Sequence, residues 1–162
     1  MRTPSIRAAT LTDVDRLLAL ETASFASDCL SSRSFRYFVG SPTAALRVIR
    51  EGAGIVGYYL LLFRARSSVA RLYSIAVDAR YRGRGLAAAL LADAERAARS
   101  RGRSRLGLEV REDNGAAIRL YQRLGYVLKG RHADYYEDGA GARRYEKRLD
   151  RPARDRSREA DD

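Results

Sequence analysis

A short turn near the middle of the chain is rich in arginine and glycine, with Arg80, Arg82 and Arg84 beside Gly83 and Gly85. Glycine lets the backbone come close to a ligand and adopt φ angles that other residues avoid. The alanine- and leucine-rich run that follows predicts a helix beginning near Gly85, with its unpaired N–H groups and positive dipole end directed at the turn. Together with the guanidinium charges, this turn is suited to bind an anion such as a phosphate.

Two known loop patterns fit this turn, and neither is specific alone. Residues 83–88 read G-x-G-x-x-A, the pattern of dinucleotide-binding folds, but there the first glycine directly follows a strand, whereas here residues 78–82 intervene. Residues 82–87 also read R-x-x-G-x-A, which resembles the Q/R-x-x-G-x-G/A pyrophosphate loop of the GNAT acyl-CoA N-acyltransferases. A tight turn with solvated arginines is the alternative without a ligand.

A candidate general base lies farther along the chain. Residues 105–110 alternate leucine and valine with other residues, which predicts a strand whose Glu109 points away from its leucines. A positioned carboxylate can accept a proton from a reacting group. The alternative for Glu109 is a surface ion pair with Arg105 or Arg111.

Hydrophobic spacing and turn residues place these groups on predicted elements. Strands are predicted over residues 5–8, 44–50, 55–64, 72–77, 105–110, 126–135 and 142–149. Helices are predicted over residues 13–26 with Thr12 as the N-cap, over 31–39, from about Gly85 to Gly102, and from Asn114 as the N-cap to Gly125. The glycines of residues 51–54 predict a hairpin turn. This order predicts a mixed α/β fold in a single domain over residues 1–149, and the charged residues 150–162 predict a disordered tail.

Composition limits the classes of protein to consider. The 162 residues are 46% hydrophobic, which predicts one globular domain. Cys29 and His132 are the only residues of their types, so an intrachain disulfide is excluded and no metal site is predicted. The start of the chain lacks the apolar core of a signal peptide, and the longest near-apolar run, residues 55–63, is too short to span a bilayer as a helix. We therefore expect a cytoplasmic protein without a membrane partner.

The formal net charge of +11 comes from 31 Lys and Arg against 20 Asp and Glu. Such a charge attracts anionic cofactors or RNA. Acidic residues are interspersed throughout, however, and no zinc-finger spacing or aromatic RNA-binding signature is present, so nucleic-acid binding is the less favoured hypothesis. The abundance of arginine can equally reflect genome composition.

The most specific motif spans residues 108–126 and reads LEVR-x-x-N-x-x-A-x-x-LY-x-x-x-GY. With the arginine-glycine turn, this string makes the chain resemble the RimI-like GNAT acetyltransferases, which acetylate protein N-termini. The resemblance runs from about residue 6 to residue 149, and Tyr135 to Gly139 are similar to a late loop of that group. It departs at residues 25–29, where FASDC stands in place of the Phe-Pro-Trp-Ser that relatives often carry. It implies a central, mostly antiparallel mixed sheet flanked by helices.

The resemblance also implies acetyl-CoA as cofactor. The backbone of Ile75, Ala76 and Val77 would pair with the pantetheine arm, because an unpaired strand edge satisfies an amide-containing ligand. The remaining cofactor contacts implied are the pyrophosphate loop and two residues of the last helix, namely Arg82, Gly83, Arg84, Gly85, Leu86, Ala87, Ala88, Asn114 and Tyr121.

Catalytic roles follow from the same resemblance. Glu109 would take the proton of the acceptor ammonium, and Tyr121 would protonate the departing thiolate. Because a phenol has a pKa near 10 and a thiol one near 8.5, complete proton transfer from Tyr121 to the thiolate is uphill by roughly 2 kcal/mol. The stabilisation of the departing thiolate would therefore come from a hydrogen bond to its sulfur. Helix capping for Asn114 and core packing for Tyr121 are the structural alternatives.

The implied acceptor is the α-amine of a protein or peptide, with a ribosomal protein as one candidate. Contacts to it are predicted from the residues Glu21, Asp28, Tyr135, Tyr136, Glu137 and Asp138. A lysine, polyamine or other small-amine acetyltransferase is the alternative enzyme, and a non-catalytic CoA- or RNA-binding module is the alternative from another class. The oligomeric state is left open.

Overall fold

The computed structural model describes residues 4–25, 27–52 and 54–149. Seven strands of this part of the chain form one sheet in the order β1-β2-β3-β4-β5-β7-β6. The strands are β1 Ser5–Ala8, β2 Ala44–Glu51, β3 Gly54–Phe63, β4 Val69–Val77, β5 Arg105–Arg111, β6 Val127–His132 and β7 Ala142–Arg148. The helices are α1 Val14–Ser24, α2 Ser32–Phe38, α3 Leu86–Ser100 and α4 Gly115–Arg123. The predicted mixed α/β fold with a mostly antiparallel sheet is confirmed.

In this sheet β4 and β5 are parallel neighbours, and the other neighbouring strands are antiparallel. Parallel neighbours need a crossover connection, which α3 supplies between β4 and β5. The arginine-glycine turn therefore lies at the end of a central strand, beside the helix that crosses to the next one.

Buried apolar side chains form one cluster on each face of the sheet. On the first face, which we call the α3–α4 face, the helices α3 and α4 contribute Leu86, Leu90, Leu91, Ala94, Ala98, Ile118 and Tyr121. On the second, the α1–α2 face, the helices α1 and α2 contribute Val14, Leu17, Leu20 and Phe35. Strand alternation divides β3 between the two clusters, with Tyr59 in the first and Tyr58 in the second.

Two carboxylates on α3 bind this helix to the sheet. Asp93 accepts hydrogen bonds from Arg47 Nε at 2.7 Å and from the Tyr59 hydroxyl at 2.6 Å. Glu95 accepts a hydrogen bond from Lys147 Nζ at 2.8 Å, and Tyr126 donates to its other oxygen. Hydrogen bonds to charged groups each contribute about 1.5–3 kcal/mol, so these contacts fix the helix that begins at the turn.

Most differences from the predicted boundaries are one or two residues long, and three others have a clear structural cause. Thr12 is not the N-cap of α1, because it lies in a 3-10 helix, Leu11–Asp13, where the Asp13 carboxylate accepts a hydrogen bond from the Thr10 N–H at 2.8 Å. The strand β4 begins at Val69 rather than residue 72, since residues 69–71 pair with β5. Tyr135 lies outside β6, which ends at His132 before Asp134 adopts a positive φ of 52°. The predicted tail, and the Ala53 part of the hairpin turn, lie outside the described residues.

Candidate active site

The strands β4 and β5 separate in the middle of the sheet. Their ladder runs from Val69 and Arg105 to Leu72 and Leu108. Beyond it, residues 74–77 pair with β3 and residues 109–111 pair with β7. The backbone groups on the two facing edges therefore have no partner strand, and we call the opening between these edges the slot.

A bulge in β4 stands at the start of the slot. Leu60 pairs with Ser74 and Leu61 with Leu72, which leaves Tyr73 as the extra residue. A bulge bends its strand and increases the local twist. Because Tyr73 directly follows the last residue paired with β5, the bulge turns β4 away from β5 at this point.

The anion-binding turn has the backbone that its glycines predict. Gly83 and Gly85 adopt φ of 80° and 77°, and Gly85 is the N-cap of α3. A Cβ on either glycine would meet nothing within 4 Å, so the positive φ, not crowding, requires glycine here. The space beside the turn is thus open at both glycines, as binding a phosphate at the N-terminus of α3 would require.

The three arginines of the turn differ in their partners. Arg80 binds Asp78 at 3.1 Å, and Arg84 binds Glu51 at 3.0 Å and lies over the Tyr81 ring. The hydrogen bonds from Arg80 lower the pKa of Asp78 well below its usual range. Arg82 is exposed and forms no ion pair with any described residue, so its charge is available to a ligand.

Glu109 lies on the α1–α2 face, as the alternation predicts, while Leu108 and Val110 pack on the α3–α4 face. The alternative for Glu109, an ion pair with Arg105 or Arg111, is wrong in its partner. The carboxylate instead accepts a hydrogen bond from Arg71 Nε at 3.2 Å. The reason is register: Arg71 pairs with Gly107 in the ladder, so its side chain emerges on the same face as Glu109, over a residue without a side chain. Sequence analysis missed Arg71, because it lies 38 residues before Glu109 in the chain.

The two arginines named in that alternative bind other carboxylates. Arg105 lies 3.8 Å from Glu146. Arg111 binds Asp113 at 3.2 Å and Asp138 at 2.7 Å. Both arginines are therefore engaged away from Glu109.

Tyr121 is buried on the α3–α4 face, with its ring edge-to-face against Tyr126 at 5.8 Å. Its hydroxyl makes no hydrogen bond to any described residue. Burial raises the pKa of this phenol above its ordinary value, and the nearby Tyr136 adds to the shift. The group therefore keeps its proton at neutral pH, which a general acid requires. On the same helix, Asn114 Oδ1 accepts a hydrogen bond from the Ala117 N–H at 3.2 Å, so the predicted capping is confirmed.

A buried polar cluster supports the α1–α2 side of the slot. Glu21 is only 3% exposed, and its carboxyl accepts hydrogen bonds from the Tyr58 hydroxyl and from Ser74 Oγ at 3.3 Å. Burial raises the pKa of Glu21 to about 7. Sequence analysis did not select Tyr58 or Ser74, although a polar residue inside an apolar strand is a signal that could have identified both.

Two loops meet above this cluster. Asp28 of the α1–α2 loop accepts a hydrogen bond from the backbone N–H of Glu137, in the β6–β7 loop, at 3.2 Å. In the second loop, Tyr135 and Tyr136 pack edge-to-face at 5.0 Å, and Arg71 Nη2 donates to the Tyr135 hydroxyl at 2.8 Å. The structure thus brings the predicted acceptor residues of these loops to the same face as Glu109.

Within residues 4–25, 27–52 and 54–149, no group of three or more His, Cys, Asp or Glu side chains could hold a metal ion. None of the helices in these ranges has the length and apolar character needed to cross a membrane.

Known proteins are similar to this chain over most of its length. The Acetyltransferase (GNAT) family matches residues 12–126. The N-alpha-acetyltransferase RimI of Mycobacterium tuberculosis is 33% identical over 149 residues, covering 90% of this chain and 92% of the relative. The crystal structure of the ribosomal-protein-S18-alanine N-acetyltransferase from Escherichia coli superposes with a TM-score of 0.81 at 25% identity, covering 93% and 97% of the two chains. The yncA structure from Salmonella typhimurium, which contains its cofactor acetyl-CoA, shares the fold with a TM-score of 0.78 at 18% identity over 94% of this chain and 97% of that one. The chain therefore belongs to the GNAT acetyltransferase family and is an acetyl-CoA-dependent N-acetyltransferase.

Proposed function

We propose that this enzyme acetylates the N-terminal α-amine of a protein or peptide by direct attack while both substrates are bound. The observation that carries the proposal is that Glu109 and Tyr121 lie on opposite faces of the sheet, with Glu109 at the position where β5 separates from β4. A base on one face and an acid on the other suit two substrates that meet through the slot. The names of the Mycobacterium tuberculosis and Escherichia coli proteins support an α-amine acceptor, with a ribosomal protein as one candidate.

The residues around the α3–α4 face fit acetyl-CoA. The unpaired edge at Ile75, Ala76 and Val77 can satisfy the amides of the pantetheine arm, and the exposed Arg82 can pair with a phosphate. The open space above Gly83 and Gly85 leaves room for the pyrophosphate at the N-terminus of α3. When bound, acetyl-CoA supplies an acetyl group activated as a thioester. We assign the other contacts to Arg84, Leu86, Ala87, Ala88 and Asn114.

Glu109 is the proposed general base. Arg71 holds Oε2, and Oε1 accepts no hydrogen bond from any described residue, so it can receive a proton from the acceptor ammonium directly or through water. An α-amine near pKa 8 loses this proton more easily than a lysine near 10.4, a difference of roughly 3 kcal/mol. Transfer of the proton to this carboxylate therefore costs less free energy from an α-amine than from a lysine.

Tyr121 is the proposed general acid. Its protonated hydroxyl, without a partner among the described residues, can donate to the sulfur that leaves. A backbone N–H on the edge at residues 75–77 can donate to the carbonyl oxygen as negative charge develops there. Both proposed donors belong to the protein chain itself.

The acceptor itself is assigned to the loops over the α1–α2 face. Asp28, Glu137 and Asp138 supply carboxylates, and Tyr135 and Tyr136 supply aromatic walls. Glu21 has both Tyr58 and Ser74 on its carboxyl, so we assign it to the support of this side rather than to direct contact with the acceptor.

The acceptor is tested with a peptide panel and intact-mass analysis in the presence of acetyl-CoA. The panel pairs free α-amines with blocked α-amines that carry a lysine, and a polyamine is included. We expect acetylation of the free α-amine. Modification of lysine or the polyamine alone would refute the proposal and favour the alternative enzyme.

The acid is tested with Tyr121→Phe. This change removes the hydroxyl and keeps the ring that packs on Tyr126. We expect turnover to fall by about 100-fold, the low end of the range for a positioned acid, with the CoA dissociation constant unchanged. Unchanged turnover would remove Tyr121 from the mechanism.

A further inference from the structure

Arg71 has N–H groups that its two hydrogen-bond partners do not use, and its guanidinium also lies over the Tyr73 ring, 5.6 Å from the ring centre. Its Nε donates to Glu109 at 3.2 Å and its Nη2 donates to Tyr135 at 2.8 Å. A guanidinium has five N–H donors, so three remain, and none of them bonds to a described residue. The side chain is 41% exposed, so the N–H groups that make no hydrogen bond to the protein are open to a ligand.

The position of Arg71 relates these donors to the acceptor. Arg71 pairs with Gly107, one step before the ladder of β4 and β5 ends, so its guanidinium lies at the mouth of the slot. An amine that binds the free oxygen of Glu109 must therefore come close to this guanidinium. A second positive charge on the acceptor is repelled there, and a negative charge is attracted.

Other arginines of this face are held by carboxylates. Arg144 binds Glu146 at 2.8 Å, and Arg111 binds Asp138 at 2.7 Å and lies over the Tyr136 ring. Asp138 offsets the charge of Arg111, whereas Arg144, which lies opposite Glu109 in the ladder of β5 and β7, shares Glu146 with Arg105. Arg71 shares the carboxylate of Glu109 with the incoming amine, so the charge of Arg71 becomes less compensated when the acceptor binds.

We propose that Arg71 selects acceptors that carry a carboxylate close to the reacting amine. The planar guanidinium matches a carboxylate in a two-point contact, while its other side keeps Glu109 and Tyr135 in place. The carboxylate can be an acidic side chain in the first two residues of a peptide, or the α-carboxylate of a free amino acid. This inference rests on the proposed function, because it takes Glu109 as the site that receives the amine.

The test compares pairs of acceptors that differ in the carboxylate alone. Peptides that begin Ala-Asp and Ala-Asn form the first pair, and ornithine and putrescine form the second. The measured quantity is the ratio of kcat/KM within each pair, because a ratio cancels any general loss of activity caused by moving Glu109. We expect wild-type protein to favour the acidic peptide by about tenfold, the effect of one charge-assisted hydrogen bond.

The kcat/KM ratio is measured in three variants. In Arg71→Gln the ratio should fall to about one, and in Arg71→Lys it should be intermediate because lysine keeps the charge without the fork. Arg105→Gln is the matched control, since Arg105 is a similarly exposed arginine on β5 whose partner is Glu146. This control should keep the wild-type ratio.

The outcomes separate this inference from the proposed function. A wild-type ratio near one in both pairs, or a ratio that Arg71→Gln leaves unchanged, would overturn the role of Arg71. A preference seen only with ornithine over putrescine assigns the carboxylate to a free amino acid and supports Arg71. If no peptide α-amine is acetylated at all, the proposed function fails, and the ornithine pair still decides the role of Arg71.

Discussion

The two sides of the slot are built in different ways. On the α3–α4 face, consecutive residues form the turn, from Arg82 to the start of α3, and the rest is apolar packing around Tyr121. On the α1–α2 face, the groups around Glu109 come from strands and loops far apart in the chain. One side is thus a local motif on a packed helix, and the other is a network that exists only in the folded sheet. Changes in the turn should alter cofactor affinity, whereas changes at Tyr121 and on the α1–α2 face should alter turnover or acceptor choice.

The largest expected effect is on the α1–α2 face. Glu109→Gln removes the proposed base but keeps the shape of the side chain. We expect kcat to fall by about 100- to 10,000-fold, the range for a positioned acid or base, with CoA affinity unchanged. Initial rates with a peptide acceptor and calorimetry with CoA measure the two quantities. A loss of CoA affinity as large as the loss of rate would show that the two sides are not separate.

The buried carboxyl on the same face predicts how stability depends on pH. The pKa of Glu21 in the folded protein is about 7, above its ordinary value of 4.5, so the folded state keeps a proton that the unfolded state has lost. The free energy of unfolding should therefore fall as pH rises from about 4.5 to 7, by at most about 3 kcal/mol. Asp13, whose pKa is lowered by the hydrogen bond from Arg7, acts at lower pH, where its stabilising contribution is lost as pH falls.

Glu21→Gln isolates this contribution. Denaturant unfolding at several pH values between 5 and 8 should give a shallower decline for the variant than for the wild type. Glu137→Gln, which changes an exposed carboxylate, is the control and should follow the wild type. Parallel curves for wild type and Glu21→Gln would contradict the raised pKa.

Backbone strain should act differently on the two sides. Gly85→Ala places a Cβ on a residue with φ of 77°, which costs about 1–2 kcal/mol and opposes the loop conformation. We expect CoA affinity to fall by about tenfold, the equivalent of 1.4 kcal/mol. Gly139→Ala is the matched control, because it has φ of 85° and equally open space but lies in the β6–β7 loop. Calorimetry should show near wild-type CoA affinity for the control; equal losses would mean that the strain is not local.

The smallest expected effect is the difference in CoA affinity between substitutions of two arginines of the turn. Arg82→Ala removes a guanidinium without an ion-pair partner among the described residues, whereas Arg84→Ala removes one already bound to Glu51. We expect CoA affinity to fall by about fivefold for the first and less than twofold for the second at low salt, with both effects shrinking at high salt. The reverse order would indicate that the Arg84 side chain leaves Glu51 and contributes more to CoA affinity than Arg82 does.

The sequence by itself determined the fold class and the elements on the α3–α4 face. The turn at Gly83 and Gly85, the helix that follows and the cap at Asn114 were all predicted, because each depends on residues adjacent in the chain and on the periods of strand and helix. The direction of Glu109 was predicted for the same reason. The roles of the site residues stay predictions until the variants are measured.

The tertiary structure alone decided the partners on the α1–α2 face. Arg71 meets Glu109 because of the register between β4 and β5, and Ser74 meets Glu21 across 53 residues of chain. The bulge at Tyr73 sets which side chains of β4 face which helix pair, and a shift of one residue in a strand reverses every face. Hydrophobic spacing records which residues are buried, but it carries no information on register between distant strands, and this is why the acceptor side required the folded sheet.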